Sequence, residues 1–226
     1  MNSYTHKNTE SKLLTDGNNN EKLKKTGKQH KVQIVAFNLP VRKTCPMAKY
    51  CLSDCYAYSL TKRYKSCATK YQYNYEQSLK DDFVARINDE LSNDWYLATY
   101  VRIHSSGDFY SVEYLDKWVK IAMSNPSITF YAYTKSVSIV KDYESKNGLP
   151  KNLSITYSYG GVEDHLIDPK IDKHAIVIDD KADVPIGYVD GSNDDFKVIF
   201  NKNVALKYHG KHKWENSDFR LVKLPI

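Results

Sequence analysis

The sequence predicts an α/β fold, a partial or irregular (β/α) barrel with a cysteine loop after its first strand. Three observations lead there. Strand-like and helix-like segments alternate between Tyr96 and Tyr157, which argues for a parallel sheet with crossover helices. Turn-forming Gly, Pro, Asn and Asp separate those segments. All four cysteines lie between Cys45 and Cys67, directly behind the first strand-like run. An open α/β sheet is the alternative, and in both architectures ligands sit at the C-terminal ends of the parallel strands.

Taken in order, the first thirty residues are polar and read as a flexible tail by composition. Val32–Phe37 reads as a strand, ended by Asn38-Leu39-Pro40. The cysteine loop follows, then a long helical stretch from Ala68 to Leu91, with Phe83, Val84, Ile87 and Leu91 at helical spacing. Tyr96–His104 reads as a strand and Ser105–Asp108 as a turn. Val112–Met123 has the apolar periodicity of a helix, through Leu115, Trp118, Val119 and Ala122, with Ser111 as its N-cap. Ile128–Tyr133 is the next strand, Ser136 opens a short helix, and Gly148-Leu149-Pro150 breaks it before the strand Leu153–Tyr157. Three further short strands are expected at Ala175–Ile178, Ile186–Val189 and Phe196–Phe200. The 226 residues read as one domain, 1–226, with a β-rich C-terminal part from 151 onward.

Composition narrows the function classes. No apolar run approaches the ~18 residues of a membrane-spanning helix, and the N-terminus has no apolar signal core. The expected location is the cytoplasm, with no membrane partner. The formal charge of +6 is a modest basic bias, compatible with nucleic acid and equally with a solvated lysine surface. The 19 tyrosines are scattered, which suits half-buried sheet positions better than a base-stacking platform.

Cysteines carry the main chemical signal. A secreted disulfide framework would spread its cysteines, whereas a tight cluster in a reducing compartment reads as metal binding. Cys45, Cys51 and Cys55 are spaced C-x5-C-x3-C, unlike a common zinc knuckle. Thiolates are soft ligands suited to zinc or iron–sulfur clusters, and three on one loop suit three corners of a [4Fe-4S] cubane with one iron open. Cys67 is the weaker ligand candidate, since a buried small apolar role explains it equally. As the fourth ligand it would close the site and make it structural.

Two strand ends supply candidate ligand-binding residues. One is His104-Ser105-Ser106-Gly107-Asp108, where a carboxylate on a turn could hold an amino group or hydroxyl. A plain helix-start turn, with Asp108 facing the dipole, explains the same residues. The other is Thr134-Lys135, where the lysine could pair with a carboxylate or phosphate. The candidate set is therefore His104, Ser106, Gly107, Asp108, Thr134 and Lys135. His209 and His212 have a spacing that could bind metal, though solvated histidines are the commoner case.

These residues carry a resemblance. The segments Leu13–Asn18, Leu39-Pro40, Thr44-Cys45-Pro46-Met47-Ala48, Cys51, Cys55-Tyr56-Ala57, Val101–Ser111 and Phe130–Lys135 resemble the phage "gene product 88" family. The resemblance implies a phage or mobile-element protein and places Leu13–Lys28 inside the domain, leaving 1–12 as the flexible tail. It also weakens Cys67 as a ligand. Relatives carry a cysteine-rich segment near the C-terminus, and the comparable stretch Lys207–Trp214 has no cysteine here, so a second metal site is not implied. A more distant likeness is to radical S-adenosylmethionine enzymes, which hold a [4Fe-4S] cluster on three cysteines after the first barrel strand. Here the cysteine gaps are longer than the usual C-x3-C-x2-C. That likeness implies a cluster whose open iron takes S-adenosylmethionine or a similar small ligand, lined by Asp108 and His104. The alternative is a non-enzymatic zinc- or iron–sulfur-stabilised module that binds nucleic acid or a host protein.

Overall fold

The computed structural model describes residues 12–53 and 55–208. The polar start of the chain is ordered there. After a short strand β1 (Thr15–Asp16), the Asn20 side chain accepts from the amides of Lys22 and Leu23 and caps helix α1 (Glu21–His30). Only Leu23 and Thr26 of this helix are buried, so its amphipathic signal is too thin to read from composition. Of the expected tail, residues 1–11 lie outside the described residues.

Strand β2 (Gln33–Phe37) follows, then α2 (Tyr56–Arg63), α3 (Lys65–Ser78) and α4 (Phe83–Asn93). The single long helix expected over 68–91 is two helices. The chain leaves α3 at Leu79, the Lys80 amide donating to the Gln77 carbonyl, and α4 restarts after Asp81-Asp82. Next come β3 (Ala98–Ile103), α5 (Val112–Ser124), β4 (Thr129–Thr134), α6 (Val137–Asn147), β5 (Leu153–Ser158) and β6 (His174–Ile178). Ser111 caps α5 by accepting from the Tyr114 amide at 3.2 Å. The chain ends with β7 (Val189–Asp190), α7 (Asp195–Phe200) and β8 (Asn203–Lys207).

Two C-terminal expectations are corrected. Phe196–Phe200 is a helix, because Asp194 caps it by accepting from the Phe196 amide, and Val198 and Ile199 then turn inward together. The strand expected at Ile186–Val189 shrinks to β7, and Ile186 is fully exposed.

The described strands form one eight-stranded sheet in the order β1-β2-β3-β4-β5-β6-β8-β7. Only β1 runs antiparallel. No pairing joins the two edges among the described residues, so the sheet is open. Side chains alternate between its faces. Val35, Phe37, Val101, Ile103, Phe130 and Ala132 point to one face and form the main core with Phe83, Ile87, Trp118, Val137 and Val140 of α4, α5 and α6. Ile34, Ala36 and Tyr131 point to the other face, packed by Leu23 of α1 and Ile199 of α7. These two helices also touch each other. Among the described residues no helix is long and apolar enough to cross a membrane.

Candidate functional site

Parallel strands put all their C-terminal ends on one edge. At that edge lies a cavity of about 490 Å³, within the ~300–1,000 Å³ range of small-molecule sites. The cysteine loop contributes Cys45, Cys51 and Cys55 to its wall; the β3 exit contributes His104, Ser106, Gly107 and Asp108; the β4 exit contributes Thr134 and Lys135. Cys67 is absent from the lining and sits in the first turn of α3. His209 and His212 lie outside the described residues.

Each wall segment is fixed by specific bonds. The Leu39 amide donates to the Ser106 carbonyl, and the Ser106 hydroxyl donates back to the Leu39 carbonyl, both at 2.8 Å. Gly107 sits at φ 92°, and a Cβ there would lie 2.6 Å from Leu39 Cβ and 2.8 Å from Thr44 Oγ1. Only glycine lets the two loops approach so closely. The cysteine loop is also tied to the β5 exit. The Tyr50 amide donates to the Gly160 carbonyl at 3.1 Å, the Val162 amide to the Met47 carbonyl at 2.9 Å, and Ala48 bridges Gly161. The Tyr56 hydroxyl donates to the Ser105 carbonyl across the cavity wall.

Asp108 is buried and already engaged. One carboxylate oxygen accepts from the Thr134 hydroxyl at 2.6 Å and the Phe109 amide at 2.7 Å; the other accepts from the Lys135 amide at 2.8 Å. The carboxylate thus ties the β3 exit to the β4 exit, leaving about one acceptor direction for anything else. Burial pushes its pKa up to about 6 against the pull of those bonds. The Lys135 ammonium spends its three donors on the Ser158 carbonyl, the Ser158 hydroxyl and the Tyr159 carbonyl, at 2.8–3.0 Å. His104, at φ 68°, bonds Tyr114 through Nε2 at 2.8 Å, and its buried Nδ1 has no partner among the described residues. Burial, with Arg102 nearby, depresses its pKa to about 3, so the ring is neutral.

A buried ionic layer lies below the cavity, and its pairing partners are far apart in the sequence. Asp195, fully buried at the start of α7, accepts from Arg102 at 2.8 Å, from Lys22 at 2.6 Å and from the Tyr131 hydroxyl at 2.9 Å. Burial raises its carboxyl pKa, but Arg102 and Lys22 more than offset that and hold it below the ordinary value. Arg102 and Lys22 also line the cavity, and the Arg102 Nε has no acceptor among the described residues. The one hint in the sequence is an arginine inside the apolar run Val101-Arg102-Ile103.

The thiols are free and half-buried. Burial, helped by the Asp108 charge, pushes Cys45 up to about 12; burial also raises Cys51, against the pull of Lys135. Without a metal ion these two thiols keep their protons at neutral pH. Among the described residues no three His, Cys, Asp or Glu side chains stand close enough to form a ready-made metal group. The three sulfurs are arrayed around one cavity instead.

A family model described as "Gene product 88" matches residues 12–223. The "Gene 88 protein" of Mycobacterium phage L5 is 30% identical over 158 residues, a match covering 65% of this chain and 61% of that protein. No solved structure matches the chain.

Proposed function

The chain belongs to the gene product 88 family, and on that premise we propose that it is an iron–sulfur protein holding a [4Fe-4S] cluster on Cys45, Cys51 and Cys55. With three thiolate ligands the cluster's fourth iron would be open to a small ligand bearing an amine and a carboxylate, of which S-adenosylmethionine is the leading candidate. One observation carries the reading: three thiols from one loop, behind the first parallel strand, line a small-molecule cavity at the C-terminal strand edge. The partial-barrel reading belongs with it, since β2, β3, β4, β5, β6 and β8 lie side by side in chain order. The likeness to radical S-adenosylmethionine enzymes rests on this arrangement, on Tyr56 beside Cys55 and on the Gly107-Asp108 turn after β3.

The donor chemistry fits. From residue 40 to 70 the described residues contain only two buried side chains, Thr44 and Ala57. A segment with so little core is the kind that metal ligation organises, because metal-binding free energy is then folding free energy. The cluster would supply single electrons to a bound ligand. The chain's own residues do the rest. Asp108 locks the β3 and β4 exits together and offers its remaining lone pair to the ligand's ammonium. Ser106 and Gly107 let the cysteine loop close against the β3 exit. Thr134 and Lys135 complete the wall. The rival reading, a closed structural zinc or iron–sulfur site, needs Cys67, which lies off the cavity.

The test is anaerobic purification with iron and sulfide analysis. Wild-type protein is expected to be brown, and Cys45→Ser, Cys51→Ser and Cys55→Ser each to lose most of the iron. Cys67→Ser should keep it. S-adenosylmethionine should perturb the electron paramagnetic resonance signal of the reduced cluster. Full iron retention in Cys51→Ser would overturn the three-thiol assignment. An intact cluster unmoved by millimolar ligand would overturn the ligand.

A further inference from the structure

The chain's positive charge is not spread over it. Residues 41–70 hold seven lysines and arginines against one acidic residue, a net +6 that equals the formal charge of the whole chain. The remaining residues therefore balance to zero. This segment is the same one whose inner side lines the cavity, through Val41, Cys45, Ala48, Cys51 and Cys55, with Tyr56 at the rim between the two sides. Its outer side carries the charge: Arg42, Lys43, Lys49, Lys62, Arg63 and Lys65 are all exposed.

The cations are interleaved with tyrosines. The Tyr58 ring has the Arg42 guanidinium 3.8 Å and the Lys62 ammonium 4.5 Å from its centroid, which joins the cysteine loop to α2 in one surface. Lys49 sits over Tyr50 at 4.7 Å and Arg63 over Tyr64 at 5.5 Å. Tyr56 and Tyr64 remain 62% and 46% exposed, which leaves ring area for a further stacking partner. Among the described residues the cations of this surface have no carboxylate ion pair, unlike Lys12, Lys120 and Lys141 elsewhere.

We propose that the outer face of residues 42–65 docks a single-stranded nucleic acid, its phosphates held by the lysines and arginines and its bases stacked on the exposed tyrosines, beside the cavity mouth. Charge and aromatic rings interleaved on a solvent face are the two elements of single-strand binding. A duplex offers its phosphates but keeps its bases stacked away from the tyrosine rings, so the tyrosines favour a single strand. The inference does not depend on the cluster: the phosphate-binding face is built from side chains other than the cysteines.

The experiment is fluorescence anisotropy with a labelled 20-nucleotide single strand of mixed sequence, as RNA and as DNA, on anaerobically purified full-length protein of measured iron content. With about five phosphate contacts, log Kd should change with log salt by about 3.5. Lys62→Glu/Arg63→Glu/Lys65→Glu should weaken binding by about tenfold or more and lower that slope by about 2. The control Lys146→Glu/Lys151→Glu/Lys181→Glu makes the same charge change at exposed positions elsewhere and should bind like wild type. Tyr64→Leu should weaken binding by roughly fivefold or more at unchanged salt slope, as loss of one stacking contact does. Equal losses in the two triple variants, a duplex bound as tightly as the single strand, or no binding of either oligonucleotide at 50 mM salt would each overturn the proposal. The last result would leave a host protein as the partner of this face. Iron content unchanged across the variants separates these outcomes from failure of the cluster assignment.

Discussion

His104 and Asp108 stand four residues apart on the β3 exit and titrate in opposite senses. Asp108 has a folded pKa of about 6 against an ordinary 3.8, so its contribution to stability is full below the ordinary value and lost as pH rises toward 6. His104 has a folded pKa of about 3 against an ordinary 6.5, so its contribution is full above 6.5 and lost as pH falls toward 3. Between pH 4 and 6 the two slopes oppose each other, each limited to about 1.4 kcal/mol per pH unit for one proton. Substituting either residue should expose the other. In cluster-free protein, Asp108→Asn should lose stability relative to wild type as pH falls from 6 to 4, and His104→Gln should gain. Urea unfolding across that range at fixed ionic strength checks this, and two flat difference curves would refute the burial account. At neutral pH Asp108→Asn should also cost ~1–3 kcal/mol, because an amide NH2 then faces the Thr134 and Phe109 donors or the Lys135 amide. The Ser-Gly-Asp turn was legible as a strand exit facing the ligand edge of the sheet, because an aspartate after a strand end is a recognisable pattern. Its engagement was not, since the bonds run to Thr134 and Lys135, 26 and 27 residues away.

At the scale of elements, α7 decides how the second face of the sheet is closed. It brings Asp195 under Arg102 of β3 and Lys22 of α1, a carboxylate fully buried between two cations. Removing one partner of a buried ion pair leaves charge uncompensated and typically costs ~3–5 kcal/mol. Asp195→Asn should therefore destabilise the protein by about that much. The neighbouring Asp194→Asn should cost about 1 kcal/mol or less, since Asn still caps α7 and the partner, His30, is partly exposed. Thermal and urea unfolding of the two variants give the contrast, and equal losses would mean that the buried layer is not what anchors α7. This helix escaped the sequence reading because Phe196-Lys197-Val198-Ile199-Phe200 is too short for its periodicity to separate strand from helix. The alternation from β3 to β5 was legible because its helices are longer, carry clear apolar faces and end at Gly or Pro. The break between α3 and α4 was not, as Leu79-Lys80-Asp81-Asp82 contains neither residue. Arg102, Lys22 and Asp195 left no trace in spacing, since the pairs join residues 93 and 173 positions apart.

Across the whole molecule, packing and charge are unevenly divided. The main core joins β2–β5 to α4, α5 and α6 through Phe37, Phe83, Trp118, Phe130 and Val140, all fully buried. The segment from 40 to 70 contributes one buried apolar side chain, Ala57, while carrying the chain's whole net positive charge. Such a segment has little burial to hold it and repels itself, so it belongs at the low end of the local stability range. Its direct ties to the rest of the cavity wall include the bonds to Gly160 and Val162 and the Tyr56 bond to Ser105. A thiolate-bound cluster would add anionic ligands and cross-links where burial is absent. Stripping the metal should therefore open this segment locally and leave the sheet intact. Hydrogen exchange on protein with and without anaerobic chelation provides the measurement. Amides of residues 45–57 and 160–162 should lose protection by about tenfold or more, equivalent to ~1.4 kcal/mol or more of local opening. Those of β3, β4 and α5 should hold theirs. Unchanged protection in the loop would show that its own bonds suffice without metal. Uniform loss across the sheet would show that the loop and the core unfold as one unit.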